Sequence, residues 1–201
     1  MICAPHMLMI GAANRNSGKT TFACALIRRL AAAASITGAK VTAIRERGGA
    51  CPRGGAGCGV CTSIEGNFLL TEETDGSGAK DTQRLLGSGA HRVFWLRVLH
   101  ADIEAGAHAL LDAVGRNSLV ICESNSLRRV VTPGVFLVFQ HAGVSGVKQS
   151  AREVIAHADR IVRFDGRAFD FGPERIAVQN GQWRLLDGED RVESTQYRSA
   201  P

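Results

Sequence analysis

With 201 residues and 45% hydrophobic side chains, the chain is long enough to bury one sizeable core and carries no long low-complexity linker, so a single domain over 1–201 is expected. A formal charge of +5 is a mild excess without dense basic runs, which argues against nucleic acid as the partner. No apolar run approaches the roughly eighteen residues of a spanning helix and no charged-then-apolar leader is evident, so a cytoplasmic protein without membrane association is expected; its six cysteines then read as core residues or metal ligands rather than disulfides.

Met1–His6 reads as a short, fraying lead. A first strand follows at Met7–Ile10, and then Ala13-Asn14-Arg15-Asn16-Ser17-Gly18-Lys19-Thr20 runs into Thr21, Phe22, Leu26 and Leu30, apolar at helical spacing. Strand, loop, helix with Gly-Lys-Thr at the junction is the pattern of a phosphate-binding loop. Phosphate oxygens are held by inward-pointing backbone N–H groups and the positive end of a helix. Gly18 lets the chain approach closely, Lys19 brings a point charge to the outer phosphates, and the Thr20 hydroxyl suits a magnesium ion. Ala13 stands at the first glycine of the usual pattern, with Gly11 giving flexibility to the turn. Asn14, Arg15, Asn16, Ser17, Gly18, Lys19, Thr20 and Thr21 are therefore the candidate nucleotide contacts.

The first helix should run to about Ala34 with Cys24 inside it, and Lys40–Arg45 should form a second strand. Next, a glycine-rich segment over 47–64 places Cys51, Cys58 and Cys61 in a C-x6-C-x2-C array. The intervening glycines offer little to pack around three thiols, so a metal centre is expected, an iron-sulfur cluster ahead of zinc. The fourth ligand would be Cys3, a nonprotein group, or thiols of a second chain bridging a dimer. A loop with incidental or redox-paired thiols is the plainer alternative.

Asn67–Thr71 reads as a strand and Ala79–Thr82 as the opening of a short helix that ends near Gly87–Gly89. There Asp81 and Thr82 either cap the helix or stand near the magnesium and phosphates. Arg92–Val98 is a strand and Ala101–Val114 an amphipathic helix, whose Glu104, His108 and Asp112 mark its solvated face. Leu119–Cys122 is a buried strand that delivers Glu123 at its C-terminal end, where ligands of parallel sheets gather. Glu123 would hold the magnesium or orient water. Val135–Phe139 and Arg160–Phe164 complete the sheet, with a helix from Lys148 between them. The loop 140–149 falls where a base would sit, and Lys148 is a candidate base-stacking residue. Around Asn180-Gly181, residues 174–187 form a hairpin that reads as an appendage. Alternating strands and helices give an α/β fold, a mainly parallel sheet covered on both faces, of the three-layer P-loop NTPase kind.

The motifs Asn16-Ser17-Gly18-Lys19-Thr20-Thr21 and Lys80-Asp81-Thr82, followed by Gly89-Ala90, resemble those of the molybdopterin-guanine dinucleotide biosynthesis protein B (MobB) family, over about 7–164. Glu123 matches the acidic residue that ends a later strand in that family. Membership would imply a GTP-binding, weakly hydrolysing homodimer, with ATP as the alternative nucleotide. Such a protein assists molybdenum cofactor maturation or delivery to a client metalloenzyme. The family's histidine-rich stretch after the second strand is replaced here by Arg45-Glu46-Arg47 and the three cysteines, which points to a metal-centre variant. On this reading Lys19, Glu123 and Asp81 serve hydrolysis, and Thr20 and Glu123 hold magnesium. Two alternatives stand beside it: a metal or cluster carrier that uses nucleotide only as a switch, and a small-molecule kinase closing Arg128 and Arg129 over the phosphates.

Overall fold

The computed structural model describes residues 1–44, 64 and 66–186. In chain order the main elements are β1 (Ile2–Ala12), α1 (Lys19–Leu30), β2 (Ile36–Ile44), β3 (Phe68–Glu72), α2 (Asp81–Gly87), β4 (Arg92–Leu99), α3 (Ile103–Val114), β5 (Leu119–Glu123), β6 (Val131–His141), α4 (Gln149–Arg152), β7 (Arg160–Phe164) and the hairpin β8 (Ile176–Gln179) and β9 (Gln182–Leu185). The first seven strands form one sheet in the order β3-β4-β2-β5-β1-β6-β7, parallel except for β3, which runs antiparallel to β4. The α/β class expected from the alternation of elements is the class observed.

Central strands are apolar on both sides because both faces are covered. Leu8, Ile10, Ile121 and Leu137 meet Leu26 and Ile27 of α1 and Leu85 of α2. On the opposite face, Met7, Met9, Val120 and Val138 meet Ile103, Ala107 and Leu110 of α3. Cys24 and Cys122 are buried in these layers, as a core role requires. Burial, with the charge of Glu123 beside it, pushes the Cys122 thiol up, so it stays protonated and inert.

Four sequence expectations are corrected. Ile2–His6 is not a frayed lead but the first half of β1, paired from Ile2 with Val131 across a bulge between Ala4 and Leu8. Pro5 and the bulge break the alternation that would reveal a strand. Gly134 makes the approach possible, because a β-carbon there would stand 2.1 Å from the Pro5 carbonyl oxygen. Second, β2 begins at Ile36, not Lys40. Thr37-Gly38 resembles a turn, yet Gly38 sits in the strand where a β-carbon would press on Val93 at 3.1 Å. Third, the helix after Lys148 is one turn, followed by a 3-10 turn over Ile155–His157. Finally, the hairpin is no appendage. Asn180 and Gly181 take the left-handed conformations its turn needs, while Ile176 and Trp183 are buried in the α1-side layer with Phe171. Trp183 Nε1 donates to the His6 carbonyl at 2.9 Å.

Where the described chain leaves β2 and returns at Ile64, Ile44 and Ile64 pack together with Leu69, Trp95 and Leu99. Cys51, Cys58 and Cys61 lie between them, outside the described residues.

Candidate functional site

Most of the buried polar residues described gather at the C-terminal edge of the sheet: Asn14, Ser17, Thr20, Glu123, Ser124 and Asn125. Buried polar groups are the informative ones, since each must be matched by a partner. Asn125 clamps the end of β1, its Oδ1 accepting from Ala12 N at 2.7 Å and its Nδ2 donating to Ala12 O at 2.9 Å. Gly11 leaves room for that clamp, because a β-carbon there would lie 2.8 Å from Asn125 Oδ1 and 3.1 Å from the Phe136 ring. Its purpose is therefore space rather than the flexibility read from the sequence.

Beyond Ala12 the chain is stitched to the loop after β6. Ala13 O accepts from Lys148 N at 2.8 Å. The Asn14 side chain accepts from His141 N at 2.8 Å and donates to Val144 O at 3.1 Å. Its side chain is thus committed to the scaffold. Asn16 and Gly18 then turn with φ of 54° and 78°. A β-carbon at Gly18 would stand 2.7 Å from the Phe169 ring, which stacks on Phe164 at 4.7 Å and meets Phe22 and Phe139 edge-on. Four aromatic rings thus hold the turn in place.

At Lys19, α1 begins with no side-chain cap. Its first-turn N–H groups have no partner within the helix and present partial positive charge. Lys19 Nζ lies 3.5 Å from Glu123 Oε2, which β5 delivers from below. The Glu123 side chain is 3% exposed, and its second oxygen, Oε1, is buried with no hydrogen-bond partner among the described residues. An orphaned carboxylate oxygen in a low-dielectric setting is costly unless a ligand, an ion or water completes it.

Asp81, the first residue of α2, turns its carboxylate into this site instead of capping its helix. Lys40 Nζ donates to Asp81 Oδ2, and the Thr20 hydroxyl stands beside the same carboxyl. Burial alone would push Asp81 up. The Lys40 bond and charge, the Lys19 charge and the Thr20 hydroxyl outweigh it and hold the carboxyl below its ordinary range. Thr82, by contrast, is tied to Glu73 Oε2 at 2.7 Å, and the exposed Thr21 accepts from Arg84 Nη2 at 3.3 Å.

Of the sequence candidates, Lys19, Thr20, Asp81 and Glu123 are thus brought together; Arg15 and Asn16 are exposed on the turn and Ser17 is buried in it. Lys148 is exposed at the rim, joined to the turn through its backbone. Cys3 is exposed at the far end of β1, away from Ile44. Glu104, His108 and Asp112 are exposed as expected, and among the described residues no group of three His, Cys, Asp or Glu side chains is placed to hold a metal. Arg128 and Arg129 line a hollow with Met1, Glu153 and His157 at the opposite end of the sheet from Lys19. No helix among the described residues is long and apolar enough to cross a membrane.

Sequence reasoning gave no role to Lys40. Its register partner on β5 is Glu123, an alignment that only strand pairing reveals. No protein-family model, curated protein or solved structure matches the chain.

Proposed function

We propose that the chain is a nucleoside-triphosphate-binding protein of P-loop, MobB-like type that hydrolyses its nucleotide slowly. The observation that carries the reading is the orphaned Glu123 Oε1 beside Lys19, under an uncapped helix start. The residues fit a triphosphate with magnesium. The 13–20 turn supplies main-chain donors, Lys19 the ammonium, and Thr20, Glu123 and Asp81 the hard oxygen donors that magnesium prefers. When bound, magnesium neutralises charge on the phosphates. Lys19 then trades its contact with Glu123 for phosphate oxygens and offsets charge as it builds up in the transition state. Glu123, relieved of Lys19, accepts a hydrogen bond from a water and orients it, while Asp81 steadies the Thr20 hydroxyl. As the resemblance implies, turnover without a stimulating partner is slow.

The resemblance favours GTP over ATP and a cytoplasmic homodimer that serves a client metalloenzyme, with Cys51, Cys58 and Cys61 holding an iron-sulfur or zinc centre. The loop 140–149, tied to Ala13 and Asn14, is the expected base-side wall, with Lys148 beside the base. The kinase alternative cannot draw on Arg128 and Arg129, which lie at the opposite end of the sheet from Lys19.

Two substitutions test the assignment. Lys19→Ala should abolish nucleotide binding in a folded protein. Glu123→Gln keeps an acceptor for water but loses the carboxylate, so it should retain binding while single-turnover phosphate release falls about 100-fold, at the low end for a lost general base. Lys19→Ala binding nucleotide as well as the parent would refute the reading.

A further inference from the structure

The site contains two ammonium groups and two carboxylates. Lys19 stands against Glu123, and Lys40 against Asp81. Lys40 and Glu123 are aligned across β2 and β5, so both side chains leave the same face of the sheet at its C-terminal edge. The Lys40 side chain is 16% exposed, which commits its charge to the site rather than to bulk solvent. Asp81 is held by the Lys40 ammonium, so the carboxylate suited to a divalent cation already carries a cation.

A divalent cation arriving alone meets two ammonium groups at close range, and like charges in a partly buried site repel strongly. A cation arriving with a polyphosphate does not, because the phosphate oxygens give both lysines a new partner. We propose that the Lys40 ammonium is a place-holding cation that keeps divalent metal off Asp81 until a phosphate anion draws it away, so that metal and nucleotide load together. This rests on the triphosphate reading above and adds the order of loading.

The test measures Mn2+ alone, by electron paramagnetic resonance, on the full chain without nucleotide, with folding verified by thermal melting. The parent protein and Lys40→Arg, which keeps the charge, should bind Mn2+ weakly at this site. Lys40→Met should bind it about tenfold more tightly, the scale of one pKa unit of charge interaction. Adding Asp81→Asn to Lys40→Met should remove that gain. If Lys40→Met does not fold, Lys40→Gln, which can still hydrogen-bond Asp81, takes its place with the same expectation.

A folded, charge-removed variant whose Mn2+ affinity stays at or below that of the parent overturns the proposal. So does tight Mn2+ binding by the parent, or a gain that survives Asp81→Asn. No arm contains nucleotide, so the two failures separate: a chain that takes no nucleotide refutes the function above, whereas one that binds nucleotide but gains no Mn2+ affinity on losing Lys40 refutes this inference alone.

Discussion

Gly18 shows how little latitude the turn has. It is held at a φ of 78° with the Phe169 ring 2.7 Å from where a β-carbon would sit. Gly18→Ala therefore meets a backbone penalty of about 1–2 kcal/mol before the ring has moved. A stability loss of about 2 kcal/mol in urea unfolding is expected, together with weaker nucleotide binding as the main-chain donors shift. Asp81 adds a pH dependence. Because its carboxyl is held low in the folded state, its contribution is fully present above the ordinary aspartate value of about 3.9. It is lost as pH falls from there through the lower folded-state value. Asp81→Asn should flatten that part of the acid limb of a stability profile taken between pH 2 and 7, and an unaltered limb would show that the pairing adds nothing.

Among the elements, the hairpin makes the strongest prediction. Trp183 fills the α1-side layer and reaches a carbonyl of β1 177 positions earlier in the chain. Trp183→Ala should cost about 3–5 kcal/mol, whereas Trp183→Phe keeps most of the packing and should lose about 1 kcal/mol with the hydrogen bond. Equal, small losses in thermal or urea unfolding would return the hairpin to the status of an appendage. The turn itself was legible, since Asn180-Gly181 is a local signal. Its docking was not, because the partner groups are residues of the β1 half that Pro5 and the bulge disguise. A continuous apolar run gave β5 to within a residue, but Gly38 and Gly134, needed for close approach inside the sheet, read locally as breaks.

For the whole molecule, the same contrast holds at the site. Lys19, Thr20 and Glu123 were legible because a motif and a strand end announce them, and Asp81 because a helix start does. Lys40 was not, because its place opposite Glu123 depends on register between strands far apart in sequence. Ile44 and Ile64, which flank the cysteine segment in sequence, pack together with Leu69, Trp95 and Leu99. Anaerobic purification followed by iron, sulfide and zinc analysis should find one stoichiometric centre that Cys58→Ser disrupts; a metal-free parent protein would remove that part of the reading. The central claim concerns the turn at 13–20, and titration calorimetry of the folded protein with ATP and with GTP, magnesium present, tests it most directly. Saturable heat with at least one of them, abolished in Lys19→Ala, is the expected result; no heat with either would contradict the account.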